Sequence, residues 1–228
     1  MNELTDILIT TYNRPFLLKQ TLASLFIHTD PTKTPFRVYV SVDEDFDSES
    51  PTVKVLRDFP VNQIVYGRTE AGLCDSLNRL IALTKRIKPK PDFICYLQDD
   101  VWLNPRWLET QIRVLKDLSK APIGFVTGFD APEHPPLGCW YVTRTVWKKR
   151  ITRATQLLAK TELWYELTPI PKLNPNGSKR GRPHNGIGSR VDWWLMVDAP
   201  NSTWNRKLFV GVVPGLVEHL GEEMSTWR

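Results

Sequence analysis

The chain has 228 residues, of which 41% are hydrophobic and 24% are charged. This composition is typical of a folded globular protein and excludes a disordered or fibrous chain. The length lies at the upper end of one domain and allows a core without disulfides or a structural metal. Three cysteines, Cys74, Cys95 and Cys139, are odd in number and form no CxxC pair, which argues against a disulfide framework or a zinc site. The sequence shows neither a signal-peptide pattern nor an apolar segment of membrane-spanning length, so we expect a cytoplasmic protein with no membrane span.

The net charge of +5 is unevenly distributed along the chain. Between Val142 and Arg190, 11 Lys or Arg residues stand against two acids, Glu162 and Glu166, so the rest of the chain is net negative. Such a basic segment attracts polyanions or phosphate groups over a Debye length of about 8 Å at physiological salt. A solvated basic face without any partner is the alternative interpretation.

The first half of the chain alternates short β-branched or aromatic runs with longer segments of helical period. This pattern predicts a mostly parallel sheet with crossover helices. The predicted strands are Asp6–Thr10, Arg37–Val42, Gln63–Tyr66 and Phe93–Leu97. The predicted helices are Pro15–His28, Pro51–Phe59, Ala71–Lys88 and Asn104–Leu118. Pro15 and Pro105 would each occupy a first helical turn, where a missing N–H is tolerated.

The second half is less regular. Residues 168–190 are rich in proline, glycine, asparagine and basic side chains, which predicts a long mobile loop. Apolar periodicity resumes at Val191, and Leu208–Leu220 predicts a strand or two ending at a turn near His219.

Polar side chains follow three of the predicted strands, in the segments Thr10–Arg14, Asp43–Asp45 and Gln98–Asp100. A parallel α/β sheet binds its ligand at the carboxyl ends of its strands, so we expect these segments to lie together. Adjacent carboxylates supply the hard oxygen ligands that Mg²⁺ or Mn²⁺ prefers, and a nucleotide diphosphate needs such a cation. An isolated Asp-Asp pair would more often be a turn or a helix cap.

Several segments form an ordered set of motifs that covers nearly the whole chain. They are Ile7–Arg14, Gly67–Ile81, Tyr96–Val101, Gly138–Arg144, Val191–Leu195 and Val217–Gly221. In this order and spacing they resemble the family 2 glycosyltransferases of the GT-A fold, with Tyr96–Val101 similar to the DXD motif. The resemblance implies a Rossmann-like, mostly parallel α/β sheet flanked by helices. It also implies one domain over 1–228, with a nucleotide-sugar-binding half at 1–118 and an acceptor half at 119–228.

The resemblance also implies roles for donor-site residues. Thr10 and Tyr12 would cradle and stack the base of the nucleotide sugar, a UDP-sugar by preference, although Tyr12 could instead be a buried core aromatic. Asp43 or Glu44 would accept the imide N–H of the base, and Asp99 would hold the ribose. The remaining donor-binding residues implied are Arg14 and Arg68.

Asp100 would bind the metal ion, Mn²⁺ or Mg²⁺, and His219 would contribute a second metal or diphosphate contact. A core histidine is the alternative for His219. Two positions depart from the family pattern: Gln98 stands where many members have Asp, and Val191 stands where many have Glu. The site therefore has fewer carboxylates than is usual.

Asp192 is the local candidate for the base that takes the proton of the acceptor hydroxyl. With one base and no second carboxylate nucleophile evident, direct displacement with inversion is the expected outcome. A helix N-cap before Trp193 and Trp194 is the alternative role for Asp192.

The loop segment Lys179-Arg180-Gly181-Arg182-Pro183 resembles the core of an AT-hook. In that motif an extended Arg-Gly-Arg-Pro lies in the narrow minor groove of A·T-rich DNA. The same basic residues, Lys179, Arg180 and Arg182, could instead belong to a lid that closes over the donor diphosphate.

Three alternatives for the acceptor side stay open. A small basic enzyme with such a loop would suit DNA as the acceptor, for example a hydroxymethylated base. A saccharide or protein acceptor would instead stack on tryptophans, for which the candidates are Trp140, Trp147, Trp164, Trp193 and Trp194. The departures at Gln98 and Val191 motivate the third alternative, a non-catalytic module that binds nucleotide or DNA.

Overall fold

The computed structural model describes residues 3–67, 72–128, 140–143, 156–170, 208–212 and 216–220. Ten strands and five helices lie in these ranges. In chain order they are β1 (Thr5–Thr11), α1 (Pro15–His28), β2 (Phe36–Val42), α2 (Pro51–Arg57), β3 (Gln63–Tyr66), α3 (Gly72–Thr84), β4 (Phe93–Gln98), β5 (Val101–Leu103), α4 (Trp107–Asp117), β6 (Ile123–Thr127), β7 (Trp140–Thr143), β8 (Gln156–Lys160), α5 (Thr161–Leu167), β9 (Leu208–Val212) and β10 (Val217–His219). None of the helices in these ranges has the length and apolar character needed to cross a membrane.

Eight of the strands form one mixed sheet in the order β3-β2-β1-β4-β8-β6-β9-β7. The first four of these, β3, β2, β1 and β4, are parallel to one another. Strand β8 is antiparallel to both β4 and β6, β9 is parallel to β6, and β7 closes the order antiparallel to β9. Strands β5 and β10 pair antiparallel in a separate two-stranded sheet. This architecture confirms the predicted fold class, a Rossmann-like α/β sheet of the GT-A type.

Helices cover both faces of the large sheet because its central strands are apolar on both sides. Successive residues of a strand point to opposite faces, and in β1 the side chains of Ile7 and Ile9 pack in one buried cluster with α1, α2 and α4, while Leu8 packs in a second cluster with α3 and α5. Trp164 is fully buried in the second cluster, and its Nε1 donates to the carbonyl oxygen of Ile94 at 2.8 Å. The expectation that Trp164 offers a sugar-stacking surface is therefore wrong.

The predicted element bounds differ from the structure mainly at helix ends. Helix α3 ends at Thr84 and not at Lys88. The proline at position 89 disfavours the helical region for Lys88 itself, the residue predicted to end the helix. Helix α4 begins at Trp107, after Arg106 in a left-handed conformation with φ of 65°. Pro105 therefore precedes the helix, and its predicted place in the first helical turn is wrong.

A buried glutamine pair fixes the strand that carries His219. The side chains of Gln111 and Gln156 exchange hydrogen bonds of 3.1 and 2.8 Å, and Gln156 Oε1 also accepts from the Gly128 N–H at 2.8 Å. The Gly128 carbonyl in turn accepts from the N–H groups of Leu216 and Val217 at 2.8 and 3.0 Å. A side chain at Gly128 would come within 2.6 Å of Gln111 Nε2. The position of β10 therefore depends on this amide network.

We predict that Gln156→Leu lowers the free energy of unfolding by about 1–3 kcal/mol. The variant leaves the buried Gly128 N–H and the Gln111 amide without their acceptor, and each such buried group costs energy of this order. Chemical denaturation in urea measures the change. Gln63→Leu on β3, at an exposed position, is the matched control and should change stability by less than about 0.5 kcal/mol. Equal stability of Gln156→Leu and the wild type would contradict the proposed network.

Candidate active site

The carboxyl ends of β1, β2 and β4 bring the predicted polar segments together. In the parallel register Thr10 lies beside Ser41 of β2 and Gln98 of β4. The chain leaves β1 through a turn in which Asn13 has a left-handed φ of 49°, a conformation that asparagine tolerates better than most residues. The Asn13 N–H donates to Glu44 Oε1 at 2.7 Å, which ties this turn to the segment after β2.

Asp99 and Asp100 are both buried immediately after β4, with 5% and 3% of their surfaces exposed. Thr11 Oγ1 donates to Asp99 Oδ2 at 2.6 Å. Arg14 Nη1 donates to Asp100 Oδ2 at 2.7 Å and lies 3.5 Å from Asp99 Oδ1. Buried carboxylates require such donors because an isolated buried charge is very costly. The two carboxyl groups are therefore part of a buried, hydrogen-bonded cluster and do not belong to a solvent-exposed turn.

His219 joins the cluster through the small sheet. Residue His219 of β10 pairs with Val101 of β5, and the Leu220 N–H donates to the Asp100 carbonyl oxygen at 2.7 Å. The imidazole Nε2 lies 3.3 Å from Asp100 Oδ2. The predicted metal residues, separated by more than one hundred positions in sequence, are thus in direct contact.

The two carboxyl groups have opposite electrostatic environments. Burial, with the neighbouring Asp100 carboxylate second, raises the pKa of Asp99 to about 7. Burial also acts to raise the pKa of Asp100, but the hydrogen bond and charge of His219 together with the Arg14 guanidinium outweigh it, so that pKa lies below its usual range. Asp100 is thus the carboxyl group of the pair that stays ionised near neutral pH.

Asp43 lies at the end of β2 and is 8% exposed. Its Oδ2 accepts from the Gly72 N–H at 2.8 Å, at the start of α3, where Gly72 has a left-handed φ of 79° that suits glycine. Arg79 Nη2 lies 3.6 Å from Asp43 Oδ1, and that oxygen accepts no hydrogen bond from the described part of the chain. Burial raises the pKa of Asp43, while the hydrogen bond from Gly72 and the Arg79 charge lower it.

Glu44, the alternative acceptor for the base, already accepts hydrogen bonds from the protein through one of its oxygens. Its Oε1 accepts from Asn13 N–H and from Thr52 Oγ1 at 3.2 Å. Of the two predicted candidates, Asp43 is the one with a buried carboxylate oxygen that lacks a hydrogen-bond partner among the residues the structure describes.

Aromatic side chains lie beside these strand ends. Tyr12 is 40% exposed, so the alternative of a buried core aromatic is wrong for it. Phe46 is 66% exposed and packs edge-on against Tyr66 with ring centroids 4.9 Å apart. Thr10 is buried, and its Oγ1 lies 3.4 Å from the Tyr96 hydroxyl.

Three residues that contact or shape the surroundings of the site carboxylates were not identified from the sequence: Thr11 beside Asp99, and Arg79 and Gly67 near Asp43. Thr11 lies inside the first motif, but nothing in the sequence distinguishes its hydroxyl from that of Thr10. Arg79 Nη2 donates to Ser41 Oγ and Ser76 Oγ at 3.2 and 2.9 Å. A Cβ at Gly67 would lie 2.2 Å from Arg79 Nη2, so glycine leaves the space that Arg79 occupies. That approach is visible only in three dimensions.

Several predicted site residues lie outside the described residues. They are Arg68, Lys179, Arg180, Arg182, Asp192, Trp193 and Trp194. Their assigned roles stay predictions.

The metal prediction has partial geometric support. Within the described ranges, no group of three or more His, Cys, Asp or Glu side chains is arranged to hold a metal ion. Asp100 Oδ1 and His219 Nδ1 are nevertheless buried and have no hydrogen-bond partner in those ranges. A hard carboxylate oxygen and an imidazole fit Mn²⁺ or Mg²⁺ as two protein ligands. The remaining ligands would have to come from a bound molecule or water.

Comparison with known families agrees with this geometry. Residues 6–165, more than half of the chain, match the family described as glycosyl transferase family 2. The chain therefore belongs to glycosyl transferase family 2. No curated protein matches the sequence at a significant level.

Solved structures with a similar fold include two complexes with nucleotide sugars. Residues 1–349 of S. aureus TarS in complex with UDP-GlcNAc match with a TM-score of 0.60 and 13% identity, over 97% of this chain and 61% of that one. The mannosyltransferase PcManGT from Pyrobaculum calidifontis in complex with GDP-Man and Mn²⁺ matches with a TM-score of 0.52 and 15% identity, over 78% and 50% of the two chains. The chain thus spans half to three fifths of these structures. At such low identity the likeness shows the shared fold.

Proposed function

We propose that this glycosyltransferase moves a sugar from a nucleoside-diphosphate sugar, a UDP-sugar by preference, to an acceptor hydroxyl. The observation that carries the proposal is the gathering of Asp43, Asp99, Asp100, Arg14 and His219 at one edge of the sheet. The two complexes of similar fold hold donors of this same class.

Asp43 accounts for the recognition of the base. An ionised carboxylate only accepts hydrogen bonds, and the imide N–H of uracil donates one. Burial raises the pKa of Asp43, and the Gly72 N–H and the Arg79 guanidinium oppose this rise by favouring the ionised form. Its Oδ1, which lies 3.6 Å from Arg79 Nη2 and accepts no hydrogen bond from the described residues, is the oxygen assigned to the base, and the exposed ring of Tyr12 offers a stacking surface. Guanine also presents a ring N–H, so a GDP-sugar is the second candidate donor.

The buried acidic pair accounts for the binding of the ribose and, through a metal ion, of the diphosphate. We assign Asp99 to the ribose hydroxyls, and Asp100 with His219 to Mn²⁺ or Mg²⁺. When bound, such a cation neutralises the charge of the departing diphosphate. Arg14, with 8% of its side chain exposed beside both carboxylates, supplies a fixed positive charge at the same place.

Asp192 is proposed as the base that removes the proton of the acceptor hydroxyl, which leads to direct displacement with inversion. General-base catalysis of this kind contributes about 10² to 10⁴ in rate. We predict that Asp192→Asn lowers kcat by this factor and leaves the Kd for the nucleotide sugar nearly unchanged. Turnover and equilibrium donor binding measured on the same preparation test this.

Asp117→Asn, at an exposed position on α4, is the control and should behave as the wild type. If Asp192→Asn abolishes donor binding while turnover per bound donor stays normal, Asp192 is a donor ligand or a helix cap. No turnover by the wild type across a panel of nucleotide sugars would favour the non-catalytic module.

For the acceptor we propose DNA, with a modified base such as a hydroxymethylated one as the target. The AT-hook-like sequence Lys179–Pro183 and the positive surplus between Val142 and Arg190 support this. We predict that Arg180→Ala combined with Arg182→Ala reduces the log–log salt slope of DNA binding by about 2, roughly 0.9 per lost phosphate contact. Wild-type binding should also favour A·T-rich over G·C-rich duplexes.

Titration with duplex DNA at several salt concentrations measures this slope. Lys19→Ala combined with Lys54→Ala, two lysines on α1 and α2 outside the basic segment, is the charge-matched control and should leave the slope unchanged. An unchanged slope in the arginine variant, with a raised KM for the nucleotide sugar, would identify the loop as a lid. The acceptor would then belong to the saccharide or protein class.

A further inference from the structure

Arg14 holds one oxygen of Asp100, the carboxylate that is assigned to the metal ion, while the other oxygen, Oδ1, has no hydrogen-bond partner among the described residues. Its Nη1 lies 2.7 Å from Asp100 Oδ2, and His219 Nε2 lies 3.3 Å from that oxygen. The three side chains are nearly enclosed, with exposed fractions of 8% for Arg14, 4% for Asp100 and 12% for His219. The guanidinium is thus part of the interior of the site.

The backbone around Arg14 keeps the guanidinium in this position. The preceding residue, Asn13, has a left-handed φ and is tied by its N–H to Glu44. The Arg14 carbonyl accepts the first helical hydrogen bond from the Leu18 N–H at 3.0 Å, and Pro15 begins α1. The anchoring on both sides fixes the backbone from which the Arg14 side chain reaches Asp100.

The charge balance of the cluster changes with the ligand. Without a ligand, Arg14 offsets part of the negative charge of Asp99 and Asp100. A divalent cation added at Asp100 would place two further positive charges close to the guanidinium, at a site with little water to screen them. The negative charge of a diphosphate would offset the repulsion between the metal ion and the Arg14 guanidinium. The diphosphate oxygens are also good hydrogen-bond acceptors for arginine.

We propose that Arg14 couples metal binding to donor binding: it blocks the divalent cation while the donor site is empty, and it bonds to the diphosphate when nucleotide and metal enter together. This inference rests on the proposed function, since it assigns the diphosphate to this edge of the sheet. In this arrangement Arg14 contacts the donor diphosphate directly, and a divalent cation without nucleotide binds poorly.

The test measures Mn²⁺ binding to the metal-free full chain by electron paramagnetic resonance, first without nucleotide and then with UDP or GDP. For the wild type, we expect the nucleotide to raise Mn²⁺ affinity by at least about tenfold. A charge within about 4–6 Å shifts proton binding to a carboxylate by about 1–3 pKa units, and a competing cation should be affected at least as much. Arg14→Gln should therefore bind Mn²⁺ without nucleotide at least about tenfold more tightly than the wild type.

Two further variants separate charge from structure. Arg14→Lys keeps the positive charge and should bind Mn²⁺ alone as weakly as the wild type. Arg37→Gln is the matched control: Arg37 pairs with the buried Asp6 at 2.7 Å, at the opposite end of β1, and its loss should leave Mn²⁺ binding unchanged. Circular dichroism verifies that each variant is folded.

Equal Mn²⁺ affinity of wild type and Arg14→Gln in the absence of nucleotide would overturn the proposal. If Arg14→Gln does not fold, the wild type alone decides: the same Mn²⁺ affinity with and without UDP or GDP also overturns it. Sugar transfer that proceeds in chelator and is lost in Arg14→Lys would overturn it as well, because Arg14 would then replace the metal. If neither UDP nor GDP binds at saturating Mn²⁺, the proposed function is contradicted. The Mn²⁺ affinities of the wild type and Arg14→Gln without nucleotide test the role of Arg14 separately.

Discussion

The burial of two adjacent carboxylates after β4 is the constraint on which the site depends. Asp99 and Asp100 are almost completely enclosed, and like charges at such close range are tolerated only when donors and cations surround them. Each of the surrounding groups comes from a different part of the chain: Thr11 from the end of β1, Arg14 from the start of α1 and His219 from β10. The antiparallel pairing of β5 and β10 completes the cluster.

The fold could be predicted well from the sequence, because the central strands and their crossover helices have strong hydrophobic patterns. Helix α1 and strand β3 have the predicted bounds, while α3 ends four residues earlier than predicted and α4 begins three residues later, after the left-handed Arg106. The meeting of Asp43, Asp99 and Asp100 followed from the rule that parallel strands present their carboxyl ends at one edge. The contact between His219 and Asp100 followed only from the family resemblance.

Other features of the site could not be read from the sequence, because they depend on distances between residues far apart in the chain. The ion pair of Arg14 with Asp100 is one, since the sequence indicated Arg14 only as a donor ligand. The space that Gly67 leaves for Arg79 is another, and the role of Gln156 in holding Gly128 is a third. Buried polar side chains such as these find partners across the fold, and hydrophobic periodicity carries no information about them.

The central claim is that the strand-end cluster binds a nucleoside-diphosphate sugar together with a divalent cation. Isothermal titration of the wild type with a panel of UDP- and GDP-sugars, with Mn²⁺ and with chelator, tests it most directly, and Asp100→Asn serves as the comparison. We expect wild-type binding to at least one donor in Mn²⁺ that weakens by at least about tenfold in chelator, a loss of about 1.4 kcal/mol. In Asp100→Asn the metal should give little gain. Donor binding of equal strength with Mn²⁺ and with chelator, or no binding to any donor in Mn²⁺, would contradict the account.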